Sequence, residues 1–202
     1  MPPAEAQLRQ APSGITEAEW SQRVNLAACY RLVAHYGWDD LVDTHISARV
    51  PGPDHHFLIN PYGTAVASSL EGLLPLNQTA QLVTHDLAYH DYEGVALDHD
   101  ERPRLQKDLG SKNHMLLRNH GTLTVGRSVA SAFERMYHLE RACTMQVRTR
   151  MLGPAAYPVE QSVIDKNEAV FSNPDSAELR STTLVWPPLL RKLDRIDPGY
   201  RD

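Results

Sequence analysis

Residues 114–126, HMLLRNHGTLTVG, and the amphipathic run that follows them constrain the fold more than any other part of this chain. Two short β-prone stretches flank Asn119-His120-Gly121, a trio that favours a turn, so the segment reads as strand, turn and strand. From Ser128 onward, Val129, Ala132, Phe133, Met136, Leu139, Cys143 and Val147 recur at helical spacing and form one apolar stripe on a helix of about 20 residues.

Other elements fall around this unit. Thr16-Glu17-Ala18-Glu19 has the spacing of a capping box, and Trp20, Val24, Ala27 and Ala28 recur at helical intervals up to Gly37, which predicts a first helix. The stretch 41–63 alternates β-prone runs around a PGPDHH turn, as a hairpin would. Residues 79–90 read as helical or irregular, GVALD as a strand, and 160–171 as a helix. In the closing WPPLLRKLDRIDPGYRD, Trp186, Leu189 and Leu190 are expected to dock the tail on the core. Helices interleave with strands and no repeat is present, so the class is α/β or α+β. The expected organisation is a flexible segment over 1–15 and one domain over 16–202.

Composition narrows the function classes. The 202 residues are 42% hydrophobic and 22% charged, with a net charge of −5 and no basic cluster, which argues against nucleic acid and anionic membranes as partners. The start has no apolar core for a signal peptide, and no run approaches the roughly 18 apolar residues of a membrane span, so a cytoplasmic location is expected. Cys29 and Cys143 form no CxxC pair and read as buried thiols.

No nucleophile elbow, P-loop or G-x-G-x-x-G is present. The ten histidines include no pair separated by two, three or four residues, which excludes local His-x-His and His-x-x-x-His metal pairs. His85, Asp86, His90 and His99 form the densest local group, but a spacing of five sets His85 and His90 on different faces of a helix. Glu93, Asp98 and Glu101 read as solvated carboxylates. His120, beside Gly121 between two strands, is held rigidly enough to serve as a metal ligand or a general base, but its position alone favours a structural role in the turn.

Read together, NLAACYRLVAHYGW, THISARVPGPDHHFLINPYG, EGLLPLNQ, AYHDYEG, LLRNHGTLTVGRSVASAFERMYHLERAC and the closing WPPLLRKLDRIDPGYRD closely resemble the class II aldolase/adducin family, from about Ala18 to Asp202. The resemblance implies a three-layer α/β/α domain and, commonly, homotetramers with active sites between subunits. It also implies a divalent metal, usually zinc, held by three histidines and polarising a small hydroxy-carbonyl substrate. A glutamate then serves as acid and base, and a tyrosine from a neighbouring subunit as acid, in making or breaking a carbon–carbon bond. By position His120 corresponds to the third metal histidine and Tyr89 to the tyrosine acid. His45, Ser47, Asn60 and Gly63 match the loops that grip the substrate. His45 stands where sugar-phosphate aldolases commonly carry Asn, which argues against phosphate specificity.

One departure outweighs these matches. Between Gly63 and Thr64 similar proteins carry several dozen more residues, which include the catalytic Glu and the His-x-His pair. Ser68, Ser69 and Glu71 imitate the family's Ser-Ser-Glu, but their surroundings fit the helix and loop that follow the missing strand. The sheet is therefore expected to be incomplete, with exposed apolar surface and an open edge. Three functional readings follow: an aldolase-type lyase or epimerase impaired by the gap, a non-catalytic adducin-like scaffold, or an internally deleted product without a function of its own.

Overall fold

A computed structural model describes residues 10–39, 45–49, 69–94, 100–153 and 157–201. Helix α1 (Glu17–His35) starts where Thr16 Oγ1 accepts the Glu19 N–H at 3.1 Å. Helix α2 (Gln78–Thr84) is capped in the same way by Asn77. Strand β1 (Leu87–His90) follows, then α3 (Glu101–Leu109), β2 (His114–Leu117), β3 (Gly121–Thr124) and α4 (Val129–Met151). Ser128 and Ser131 form a reciprocal capping box that fixes the start of α4.

The described strands form one sheet in the order β1-β2-β3. β1 runs parallel to β2 with Tyr89 opposite Leu116, and β2 runs antiparallel to β3 with Leu116 opposite Thr122. Side chains alternate across this sheet. Tyr89, Leu116 and Thr122 face α4 and α2, where Leu116 joins Leu73, Val83, Leu139 and Cys143. Ala88, Met115 and Leu123 face the other way and meet Leu105 and Leu109 of α3. Helices thus cover both faces, and the central strand β2 is buried along its whole length. The expected α/β class holds.

A second core lies beyond the sheet, where α1 contributes Val24, Ala28, Cys29, Leu32 and Val33 against Phe133 of α4. Helices α5 (Gln161–Phe171) and α6 (Pro174–Arg180), a π turn (Ser181–Val185), α7 (Trp186–Ile196) and a final 3-10 turn complete the chain. Trp186 is buried in this core and Leu189 and Leu190 pack against it, as expected for the docking tail.

Several expectations change. The 79–90 segment divides into α2 and β1, so His85 follows a helix and His90 ends a strand; the two do not share a helix. Helix α3 was not foreseen in this charged stretch. Pro103 occupies the first turn, where its missing N–H costs nothing. The 41–63 hairpin lies almost wholly outside the described residues, of which His45 forms a single bridge and 46–49 are irregular. The GVALD strand lies outside them apart from Gly94. Both cysteines are buried, and burial pushes the Cys29 thiol up to about 12. Among the described residues, no helix is long and apolar enough to cross a membrane.

Candidate functional site

The C-terminal ends of β1 and β2 bring Tyr89, His90, Arg118 and His120 to one end of the sheet. Arg118 N–H continues the ladder by donating to His90 O at 2.8 Å, and His120 N–H closes the turn on Leu117 O at 3.0 Å. Asn119 supplies the left-handed corner with φ +52°. His120 is half-buried at the far side of that corner.

Tyr89 is held by its own chain. Its hydroxyl accepts the Leu73 N–H at 3.0 Å, and the Arg118 guanidinium lies 4.7 Å from the ring centroid while donating to Ser69 O. The 69–76 loop is in turn strapped to α4. Gln146 donates to Gly72 O at 2.7 Å and accepts the Leu74 N–H at 2.7 Å. Glu71 makes an exposed ion pair with Arg150.

Gly72 sits at φ +68° with its Cα against the Tyr89 ring; an added Cβ would lie 2.5 Å from the hydroxyl oxygen. Gly72→Ala should therefore cost about 1–3 kcal/mol, from the left-handed backbone and the clash together. In denaturant unfolding, a Tyr89→Ala background should remove the clash and leave only the backbone share. Equal costs in both backgrounds would show that the ring does not constrain Gly72.

The substrate-loop candidates are placed less completely. His45 is exposed and Ser47 half-buried. The Ile46 backbone between them is anchored to α1, since Tyr30 Oη donates to Ile46 O at 2.8 Å and accepts its N–H at 3.1 Å. Asn60 and Gly63 lie outside the described residues.

The remaining histidines divide between the two ends of the sheet. His85 and His114 flank the starts of β1 and β2, roughly 10 Å of strand away from His120, so neither shares its site. His114 pairs with Asp86, and His138 of α4 lines the same end, where a cavity of about 700 Å³ opens between Asp86, Asn113, Arg135 and Arg180. Burial, reinforced by His114, lowers the His138 pKa to about 4.

His90 turns to the α3 face and meets carboxylates. Its Nδ1 lies 2.7 Å from Asp108 Oδ2, and its Nε2 lies 3.4 Å from Glu101 Oε1 and 4.0 Å from Glu93 Oε1. Glu93 is clasped by Arg104 through Nε and Nη2. Reading Glu101 as a solvated carboxylate was therefore wrong: its side chain is 12% exposed and faces an imidazole. Asp98 lies outside the described residues. A carboxylate three residues after a strand-ending His, followed by another opening a helix, was the signal available in the sequence.

The chain matches the class II aldolase and adducin N-terminal domain over residues 24–67 and 60–147. Its two matched parts meet at the residues where the sequence suggests a missing segment. A Caulobacter vibrioides protein named for the class 2 aldolases is 39% identical in an alignment of 256 positions, covering 93% of this chain and 95% of that protein. Because 256 positions exceed the 202 residues of this chain, the alignment must open gaps in it. An aldolase II superfamily protein from Pseudomonas syringae has a crystal structure that superposes with a TM-score of 0.83, at 34% identity, over 94% of this chain and 98% of that one. Mouse alpha-adducin is 33% identical over 89% of this chain, which spans 33% of the adducin. The chain belongs to the class II aldolase and adducin family.

Members that act as aldolases generally use a divalent metal, and a three-histidine centre does not fit the residues described here. The one group of three ligand side chains among them is His90, Glu93 and Glu101, and His120 is not part of it.

Proposed function

We propose that this chain keeps the fold and substrate-gripping loops of a class II aldolase-type lyase or epimerase for small hydroxy-carbonyl compounds, with turnover impaired. One observation carries the reading: alignment to a full-length relative demands more positions than the chain has residues, and no His-x-His pair exists anywhere in it. In this reading His120 is the remaining ligand of the family's zinc-type centre and Tyr89 the proton donor. His45, Ser47, Asn60 and Gly63 orient the substrate. The protein acts as a homo-oligomer in the cytoplasm.

The similarity to mouse alpha-adducin favours a second reading, a self-associating scaffold that uses the fold without the metal. The two readings separate on turnover. A panel of hydroxy-carbonyl compounds is assayed with added zinc, and the oligomeric state is measured by light scattering. The lyase reading expects slow cleavage that Tyr89→Phe lowers by about 10², with metal content unchanged. An equal rate for Tyr89→Phe removes that residue from the mechanism. A stable oligomer with no turnover on any compound replaces the lyase reading with the scaffold.

A further inference from the structure

We infer that His90, Glu93 and Glu101 form a divalent-cation site on the α3 face of the sheet, separate from the position of the family's histidine centre. This site stands whether or not the chain is a lyase.

His90 is 4% exposed, and its Nε2 is a buried atom without a hydrogen-bond partner, aimed between the carboxylates of Glu101 and Glu93. Asp108 accepts the Nδ1 proton at 2.7 Å, so in the neutral ring the Nε2 lone pair faces those carboxylates. A lone pair facing two anionic oxygens in a buried site is repulsive unless a positive centre sits between them. A carboxylate on the far nitrogen of a ligating histidine is the arrangement that fixes its tautomer and raises its basicity in metal sites.

The distances agree. Ligand atoms about 2.0–2.2 Å from a tetrahedral ion lie roughly 3.3–3.6 Å apart, and His90 Nε2 to Glu101 Oε1 is 3.4 Å. Glu93, at 4.0 Å, needs a shift of about half an ångström, and all three ligand atoms already lie within 4.8 Å of one another. Charge agrees as well. Among the described residues of the cluster, the carboxylates of Glu93, Glu101 and Asp108 and the guanidinium of Arg104 carry a net charge of minus two, which suits a divalent ion. One imidazole nitrogen with two carboxylates suits zinc or manganese and would leave a fourth position open to water.

The elements hold these ligands firmly. β1 sets His90 by its pairing with Leu117, and α3 presents Glu101 in its first turn and Asp108 two turns later on the same side. His90 at the strand end and Glu101 at the start of α3 are therefore fixed relative to each other by the packing of Leu105 and Leu109 on the cluster of Ala88, Met115, Leu117 and Leu123, and Arg104 of α3 holds Glu93.

The test uses the full chain, stripped with a chelator and titrated with Zn²⁺ alone against a chromogenic competitor. Co²⁺ spectra report the coordination. One equivalent should bind. Glu101→Gln and Glu93→Gln should each weaken binding at least tenfold, and Asp108→Asn by about tenfold. His120→Ala should leave affinity within about twofold of the parent. Circular dichroism checks that each variant is folded, and the two glutamate variants carry the test because neither removes the buried ring. A folded parent that binds no Zn²⁺ would overturn the inference. So would Glu101→Gln and Glu93→Gln binding like the parent, or loss of the ion in His120→Ala.

Discussion

Glu140→Gln is expected to gain stability over the parent chain between pH 5 and pH 8 by up to about 2–3 kcal/mol. Glu140 points from α4 into the sheet, where its carboxyl accepts the Thr122 hydroxyl at 2.9 Å. Burial pushes its pKa up to about 7 from an ordinary 4.5, only partly opposed by the Thr122 hydrogen bond. A carboxyl with a raised folded-state pKa contributes stability that is fully present below 4.5 and is lost as pH rises through 7. Glutamine keeps an oxygen for Thr122 and cannot ionise, so the loss disappears in the variant. His138, two residues earlier on the same helix, works in the opposite sense. Its lowered pKa gives stability that is present above 6.5 and lost as pH falls through about 4. Between roughly pH 4.5 and 6.5 the two slopes offset each other, so the parent should be nearly level there as far as these groups decide it. The variant should instead climb. Urea unfolding at a series of pH values measures this directly, and parallel curves for parent and variant would show that Glu140 is ionised in the folded protein at pH 6.

Phe133→Ala should cost about 3–5 kcal/mol. Phe133 is 2% exposed and stands where three elements meet: its ring centroid lies 5.7 Å from that of Trp186, 5.9 Å from Trp38 and 6.2 Å from Tyr36. Truncation empties the joint between α1, α4 and α7, and the surrounding rings are too large to close it without leaving their rotamers. A domain of this size has about 5–15 kcal/mol in hand. The variant should therefore unfold at markedly lower denaturant with its aromatic near-ultraviolet signal weakened. A cost below about 1 kcal/mol would mean that this joint collapses freely and that the aromatic cluster is not a rigid core.

The elements that could be read from the sequence were those with a one-sided apolar stripe and their own caps. α1 with Thr16, the strand-turn-strand around Asn119, and α4 with Ser128 each satisfy local rules before any tertiary contact forms. Helix α3 does not: its only apolar anchors are Leu105 and Leu109, and its sequence looks like a solvated run until the sheet is present to receive them. The site divides in the same way. His120 stood out because its turn is local. The meeting of His90 with Glu101 spans a connection of ten residues between a strand and a helix. Placing His90 on a helix with His85 hid the face it occupies. Glu101 looked solvated because His90, the histidine it meets, lies eleven residues earlier in the sequence.

The π turn between α6 and α7 has one further consequence. Pro187 and Pro188 have no N–H to offer the carbonyls four residues back, and Trp186 N–H reaches Ser181 O, five residues away. In an unbroken α-helix, residues five apart point about 140° away from each other. The wider turn cancels most of that angle. Ser181 can thus donate to Glu134 of α4 while Trp186, on the same rod, inserts beside α1 and donates to Asn25 at 2.9 Å. The tail behaves as a helix with one residue spliced in, and that phase slip lets a single rod grip two different helices at once.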